Sequence, residues 1–252
     1  MISLLNGDPA PELADDAALL GGVAVFEALR TYRGRVFGLS SHLSRLRASA
    51  AWMGIPWPGE TVLTDEIVAA AGQAEVALTV LLTDRNRIVR SMPIDPDRAG
   101  APIRVATLRW EAPASLPGWV KHTSRAPWLV AARRAGVDEV LLVADDGSWS
   151  ETNRANLIAV REGTVFSPPN DGRALAGVTR AALLSLAREL GLEVVEAPLF
   201  PSDWDELYVC STLKELAPIV EIDGVSAPGG GPVGARLQDA FAAAVHAASD
   251  TG

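Results

Sequence analysis

Two unequal runs of interleaved strand-like and helix-like segments, parted by a Pro- and Gly-rich stretch over 112–119, constrain this 252-residue chain more than any other feature. Each run mixes β-branched apolar blocks with helical periodicity, and such segments are stable only when layered against one another. The pattern predicts a mixed α/β (α+β) chain of two domains with a cleft between them: a small N-terminal domain over 1–111, an interdomain loop over 112–120 and a larger domain over 121–252. No internal repeat or low-complexity tract interrupts it.

In the first run, a short strand over 2–5 and a lead-in over 17–22 precede V-A-V-F-E-A-L-R-T-Y, which reads as a strand. A turn at Arg33-Gly34 returns it through Val36 and Phe37. Ser40 is an expected N-cap for S-H-L-S-R-L-R-A-S-A-A-W, with Leu43, Leu46 and Ala50 on the apolar side and His42, Arg45 and Ser49 on another stripe. Taken alone, Arg45 also fits a solvated helix charge. A helix over 60–71 and a hairpin of A-E-V-A-L-T-V-L-L-T with R-I-V-R-S-M-P follow, and a strand over 102–108 closes this part.

The second run predicts a helix from beyond Lys121 to about Arg134, stopped by Gly136, then the buried strand D-E-V-L-L-V-A. Strands over 155–160 and 164–166 turn at Glu162-Gly163. A helix in A-G-V-T-R-A-A-L-L-S-L-A-R-E-L, strands over 192–196, 206–211 and 217–221, and a closing helix over 233–248 complete the chain.

Charge and thiol content exclude several functions. A net charge of −9 and a pI near 4.9 leave no general basic face for nucleic acid or a membrane surface, so an anionic ligand must be met by local arginines. The single cysteine, Cys210, rules out an internal disulfide framework, and three scattered histidines show no zinc spacing. No stretch is long and apolar enough to span a bilayer and no leader pattern opens the chain, so a metal-free cytoplasmic protein is expected.

Of the 22 basic residues only two are lysines, Lys121 and Lys214. Lys121 stands at the head of V-K-H-T-S-R-A-P-W, between the Pro/Gly-rich loop and a helix, where a side chain can enter a cleft. A lysine so placed can hold an aldehyde cofactor as a Schiff base, while a carboxylate on a nearby strand, Glu151 of S-E-T-N-R-A-N-L, keeps a pyridine nitrogen protonated. Asn156 opens the next strand, where its amide can orient backbone or a cofactor oxygen. Gly177-Val178-Thr179 at a helix start offers unpaired N–H groups and a hydroxyl to a phosphate, and Ser211-Thr212 at a strand end adds two more hydroxyls. Each also has a plain structural reading, as a helix start, a strand-end turn or a hairpin charge.

Together these residues resemble the class IV, or fold type IV, pyridoxal-phosphate aminotransferases, the group with D-amino-acid and branched-chain aminotransferases and aminodeoxychorismate lyase. The resemblance runs nearly the whole length, through V-F-E-A-L-R-T-Y-R-G, H-L-S-R-L-R-A-S-A, V-K, D-E-V-L-L-V, S-E-T-N-R-A-N-L, L-A-G-V-T-R and S-T-L-K-E-L-A-P-I-V-E-I-D-G. It implies a small α/β domain and a larger pseudo-barrel domain holding pyridoxal 5'-phosphate. Lys121 matches the Schiff-base lysine, Glu151 the partner of the ring nitrogen, and Arg45, Val178, Thr179 and Thr212 the phosphate cup.

The implied activity is a transaminase passing an amino group between an amino acid, of D type by preference, or a primary amine and a 2-oxo acid, in a homodimer. A pyruvate-eliminating aminodeoxychorismate lyase is the alternative; a branched-chain L-amino-acid enzyme ranks lower because His122 follows Lys121. A catalytically silent carrier would have lost Lys121 or Glu151, and both are present. T-D-R-N-R-I-V-R lacks the Gly and His of the D-amino-acid carboxylate trap. The substrate carboxylate is therefore expected at Arg30 or Arg90 beside Phe26, with strand alternation turning Arg90 inward, or at Arg154.

Overall fold

The computed structural model describes residues 4–5, 8–9, 18 and 21–250. Strands β1 (Leu4–Leu5) and β2 (Asp8–Pro9) form a short antiparallel pair. The expectations at residues 2, 3, 17, 19 and 20 lie outside the described residues.

A sheet in the order β4-β3-β5-β6 follows, built from β3 (Val25–Tyr32), β4 (Arg35–Val36), β5 (Val76–Leu82) and β6 (Arg87–Pro93). Helices α1 (Leu39–Trp52) and α2 (Glu60–Ala71) cover one face. Val25 and Leu29 on β3 meet Leu43 and Leu46 on α1 and Leu63 and Ile67 on α2, all buried. Each such side chain contributes about 1.5–3 kcal/mol on leaving water. Alternation along β3 leaves Phe26 and Ala28 on the opposite face, toward the second part of the molecule.

The helix start differs from expectation. Gly38, with φ of 66°, is the residue before α1, and Ser40 lies inside the helix with no capping bond. A left-handed turn directly after the β-hairpin needs glycine, and it begins the helix two residues earlier than a serine cap at position 40 would.

The second sheet has nine strands: β7 (Ile103–Arg109), β8 (Glu139–Val143), β9 (Trp149–Thr152), β10 (Asn156–Arg161), β11 (Thr164–Ser167), β12 (Val194–Glu196), β13 (Glu206–Ser211), β14 (Glu215–Ile222) and β15 (Val225–Ser226). Its order is β12-β11-β10-β13-β14-β7-β8-β9, and β9 also pairs with β10 through Asn156 and Glu151, which closes a barrel-like ring. Ile103, Val105, Leu141, Leu157, Val209 and Ile219 pack inside it. Strand β7, expected to close the N-terminal part, runs parallel between β14 and β8 in this sheet instead. Its alternation, with Ile103 and Val105 inward, fits either sheet, and pairing between distant strands decides.

Helix α3 (Ala126–Ala135) covers β7 and β8, starts five residues past Lys121 and ends at Gly136, where the sequence stops it. Pro127 in its first turn suits that start. Helices α4 (Val178–Glu189) and α5 (Pro232–Asp250) cover β10 and β13, where Leu183, Leu184, Leu237 and Phe241 are buried. Among the described residues no helix is long and apolar enough to cross a membrane.

Candidate active site

Between the β3 face and the open end of the barrel lies a cavity of about 460 Å³. That is the size of a small-molecule site. Phe26, Arg45, Lys121, Glu151, Arg154, Asn156, Val178, Thr179, Ser211 and Thr212 all line it, so segments far apart in the chain converge on one space.

Lys121 is held by its backbone on both sides. Its carbonyl accepts from Phe26 N–H at 3.1 Å, and its N–H donates to Ser49 Oγ at 3.1 Å, so β3 and α1 together fix its Cα. The side chain then enters the cavity, with Nζ 4.9 Å from the centre of the Phe26 ring. Burial pushes its pKa down to about 8; Glu27 opposes that shift and the charges of Arg45 and Arg125 reinforce it. Lys214 also reaches the cavity, but its Nζ faces Glu139 Oε1 at 3.3 Å.

The stripe on α1 has a partner that the sequence reading missed. Glu27, fully buried on β3, accepts from Arg45 Nε at 2.7 Å and Nη2 at 2.8 Å and contacts His42 Nδ1 at 2.8 Å. Burial alone would raise its pKa, but the bond and charge of Arg45, with His42 and Lys121, bring it down to about 2. The signal was one acid inside the apolar strand V-F-E-A-L. Arg45 is therefore no solvated charge: its Nη1 donates to Ala176 O at 2.7 Å, which ties α1 to the loop before α4.

That loop ends at Gly177, and no side chain caps α4. Its first-turn N–H groups are accordingly available to an anion. Thr179 on α4 and Thr212 after β13 line the same wall, and among the described residues no protein group bonds either hydroxyl. A Cβ at Gly177 would lie 1.8 Å from Asn156 Oδ1, so the backbone approaches that amide as only glycine allows. Asn156 Nδ2 donates to Leu175 O at 2.8 Å and to Glu151 Oε2 at 3.2 Å, while Leu175 N–H donates to the same Oε2 at 3.2 Å. Oε1 of Glu151 has no protein partner among the described residues. Burial pushes the Glu151 carboxyl up to about 7, against the Leu175 bond and the charges of Lys121, Arg45 and Arg125.

Two expected carboxylate partners fall elsewhere. Arg90 is exposed on β6, the edge strand of its sheet, on the same face as the exposed Ile88 and Met92, while the opposite face, with Val89 against the core and Arg87 paired to Glu66, is the one α2 covers, so alternation turns Arg90 away from the packed side. Arg30 is buried, yet it pairs with Glu215 at 2.7 Å, lies 4.7 Å from the Tyr32 ring centre and is absent from the cavity wall. Arg154 lines the cavity at an exposed position. Arg125, which the sequence reading passed over, lines it as well.

A profile described as amino-transferase class IV matches residues 24–222. The chain belongs to the class IV aminotransferase family. Family membership brings pyridoxal 5'-phosphate as cofactor and the mixed α/β, fold type IV architecture. The chain is 33% identical to a putative branched-chain-amino-acid aminotransferase of Methanocaldococcus jannaschii, over 83% of this chain and 82% of that protein. Branched-chain-amino-acid aminotransferase-like protein 2 of Arabidopsis thaliana is 28% identical over 90% of this chain, which spans only 46% of that longer relative. Among solved structures, a hypothetical aminotransferase from Mycobacterium tuberculosis in its apo form superposes with a TM-score of 0.83 at 26% identity, covering 96% of both chains.

The cavity fits the family's cofactor on its own chemistry. Among the described residues, an amine with no hydrogen-bond or ion-pair partner, a carboxylate with one free oxygen, and a rim of uncapped N–H groups, hydroxyls and a guanidinium are what an aldehyde, a pyridine nitrogen and a phosphate require.

Proposed function

We propose that this chain is a pyridoxal-phosphate-dependent transaminase that moves an amino group between a 2-amino acid and a 2-oxo acid. The observation that carries this reading is the Lys121 amine, without a hydrogen-bond or ion-pair partner among the described residues, sharing one cavity with the Oε1 of Glu151, likewise unpartnered among them, and with the uncapped start of α4. Lys121 would be the covalent tether; Arg45, Val178, Thr179, Ser211 and Thr212 would surround the phosphate. Glu151 would face the ring nitrogen, with Asn156 fixing the carboxylate. When bound, the cofactor supplies an aldehyde for amine exchange and a ring that takes up the electron pair left at the substrate α-carbon.

The chain's own groups do the rest. Burial holds a useful fraction of the Lys121 amine neutral near physiological pH, so its Nζ can attack, leave and then move the substrate α-proton. Asn156 and Leu175 spend their bonds on Oε2 of Glu151 and aim Oε1 into the cavity. The Arg45–Glu27 pair keeps the guanidinium fixed between α1 and the α4 loop, a preorganised site for negative charge. Apolar wall residues Phe26, Ala28, Trp128 and Leu142 suit a substrate with an apolar side chain, the class in the names of the branched-chain relatives.

Absorption titration of the holoenzyme with D- and L-amino acids tests this. A transaminase converts one equivalent of amino acid per site and then stops until a 2-oxo acid is added. Continuous pyruvate release with no acceptor would establish the lyase instead, and a colourless protein unable to take up the cofactor would overturn the reading.

A further inference from the structure

Six cations line the cavity, and three are committed: Arg45 to Glu27 and Ala176, Lys214 to Glu139, and Arg98, 71% exposed, sits 4.0 Å from Asp95. With Lys121 assigned to the cofactor, Arg125 and Arg154 remain. Among the described residues, no carboxylate lies within ion-pair distance of either.

Arg125 is the better placed. It is the residue before α3, and its Nη2 donates to Asn153 O, which anchors one end of the guanidinium on the turn between β9 and β10. Its Cζ lies 5.5 Å from the centre of the Phe26 ring, the ring that also has Lys121 Nζ 4.9 Å from its centre. The tether lysine and this arginine thus share one aromatic platform. The other donors of the fork have no protein partner among the described residues, and none is sealed from solvent. Burial, followed by the charge of Arg154, lowers the Arg125 pKa, so the two guanidiniums are near enough to repel and an anion between them would relieve both. His122 does not compete for that anion, because burial pushes its pKa down to about 4 and leaves it neutral. The acids nearby are engaged: Glu139 takes Lys214 and the Thr152 hydroxyl, and Glu151 takes Asn156 and Leu175.

We propose that Arg125, supported at the rim by Arg154, holds the α-carboxylate of the substrate, and so restricts the site to amino and oxo acids over plain amines. This rests on the transaminase reading and names the group in the site that selects its substrates. A planar fork with one arm anchored and the rest free pairs a carboxylate side-on, and a carboxylate entering a closed site requires such a partner.

The test compares wild-type holoenzyme with Arg125→Ala, Arg125→Lys and the exposed α3 control Arg133→Ala, following cofactor absorption on titration with leucine of either hand, with isopentylamine, which lacks the carboxylate, and with unreactive 4-methylvalerate. Arg125→Ala is expected to weaken leucine and 4-methylvalerate on the order of 30-fold or more, the loss for cutting a buried charge pair. Isopentylamine should be nearly unchanged, Arg125→Lys intermediate and Arg133→Ala like wild type. Should Arg125→Ala not fold, Arg125→Lys reads the same contrast between leucine and isopentylamine. Equal losses on leucine and isopentylamine, or none on either, with a normal cofactor spectrum would overturn the role of Arg125 and leave the transaminase reading standing. Absence of a Lys121-linked absorption in the wild type would sink both.

Discussion

Arg45 and Glu27 meet side-on, Nε to Oε1 at 2.7 Å and Nη2 to Oε2 at 2.8 Å, with the carboxylate fully buried and the guanidinium side chain 12% exposed. This two-bond pair joins β3 to α1, and the remaining arm of Arg45 joins both to the loop before α4.

Removing the acid should therefore reach the cofactor site through Arg45. Glu27→Ala leaves an unpaired guanidinium in a largely closed place and is expected to cost about 3–5 kcal/mol of stability in urea unfolding, with weaker cofactor retention. Its pH signature has a definite sign. The folded-state pKa of Glu27 is depressed to about 2 from 4.5, so its stabilisation is full above about 4.5 and fades as pH falls toward 2. Glu27→Gln should flatten that part of the wild-type stability curve; an unchanged acid limb would show that Glu27 does not set it.

Lys121 makes a second pH prediction. Capture of an aldehyde needs the neutral amine, and burial places its pKa near 8 against an ordinary 10.5. The rate of cofactor uptake by apoprotein should rise with pH and reach half its limit near 8. A midpoint above 10 would mean that the amine is solvated like any surface lysine.

Much of this site was legible in the chain because its chemistry concentrates in rare or oddly placed residues. Lys121 was conspicuous as one of two lysines, and Gly177-Val178-Thr179 marks a helix start by composition. Element boundaries at 60–71, 87–93 and 206–211 followed from periodicity and turn residues. What escaped depends on contacts between distant segments. Glu27 makes sense only against His42 and Arg45 on another element. Arg125 reads as an ordinary charge before a helix until the fold sets it beside Phe26. Strand β7 carries no local mark of the sheet it joins. Arg90 lies outside the cavity for a related reason: alternation separates the two faces of a strand but does not say which face the rest of the molecule packs against.

The two lysines can be separated directly. Borohydride reduction of the holoenzyme should fix the label on Lys121, and Lys121→Ala should be colourless. Lys214→Ala should keep its colour while losing stability, because it strands Glu139, which is 1% exposed. Label recovered on Lys214 would reverse the assignment.

Gly177 offers the sharpest geometric test. A Cβ there would sit 1.8 Å from Asn156 Oδ1 and 3.0 Å from its Cγ, inside any permitted contact, so Gly177→Ala must displace either the loop or the amide. Moving the amide breaks its bonds to Leu175 O and Glu151 Oε2 together, which loosens the ring-nitrogen partner and the start of α4 in one step. Gly177→Ala is expected to lose about 1–3 kcal/mol of stability, the usual scale for overpacking, and to bind cofactor less tightly. Asn156→Ala alone should cost a comparable amount through its lost buried hydrogen bonds. Because the clash vanishes with the amide, the double variant should cost clearly less than the two single losses added, by more than about 0.5 kcal/mol, the tolerance for independent sites. Simple additivity in urea unfolding and in cofactor affinity would mean that Gly177 and Asn156 do not touch as described, and the aim of Glu151 would then rest on Leu175 alone.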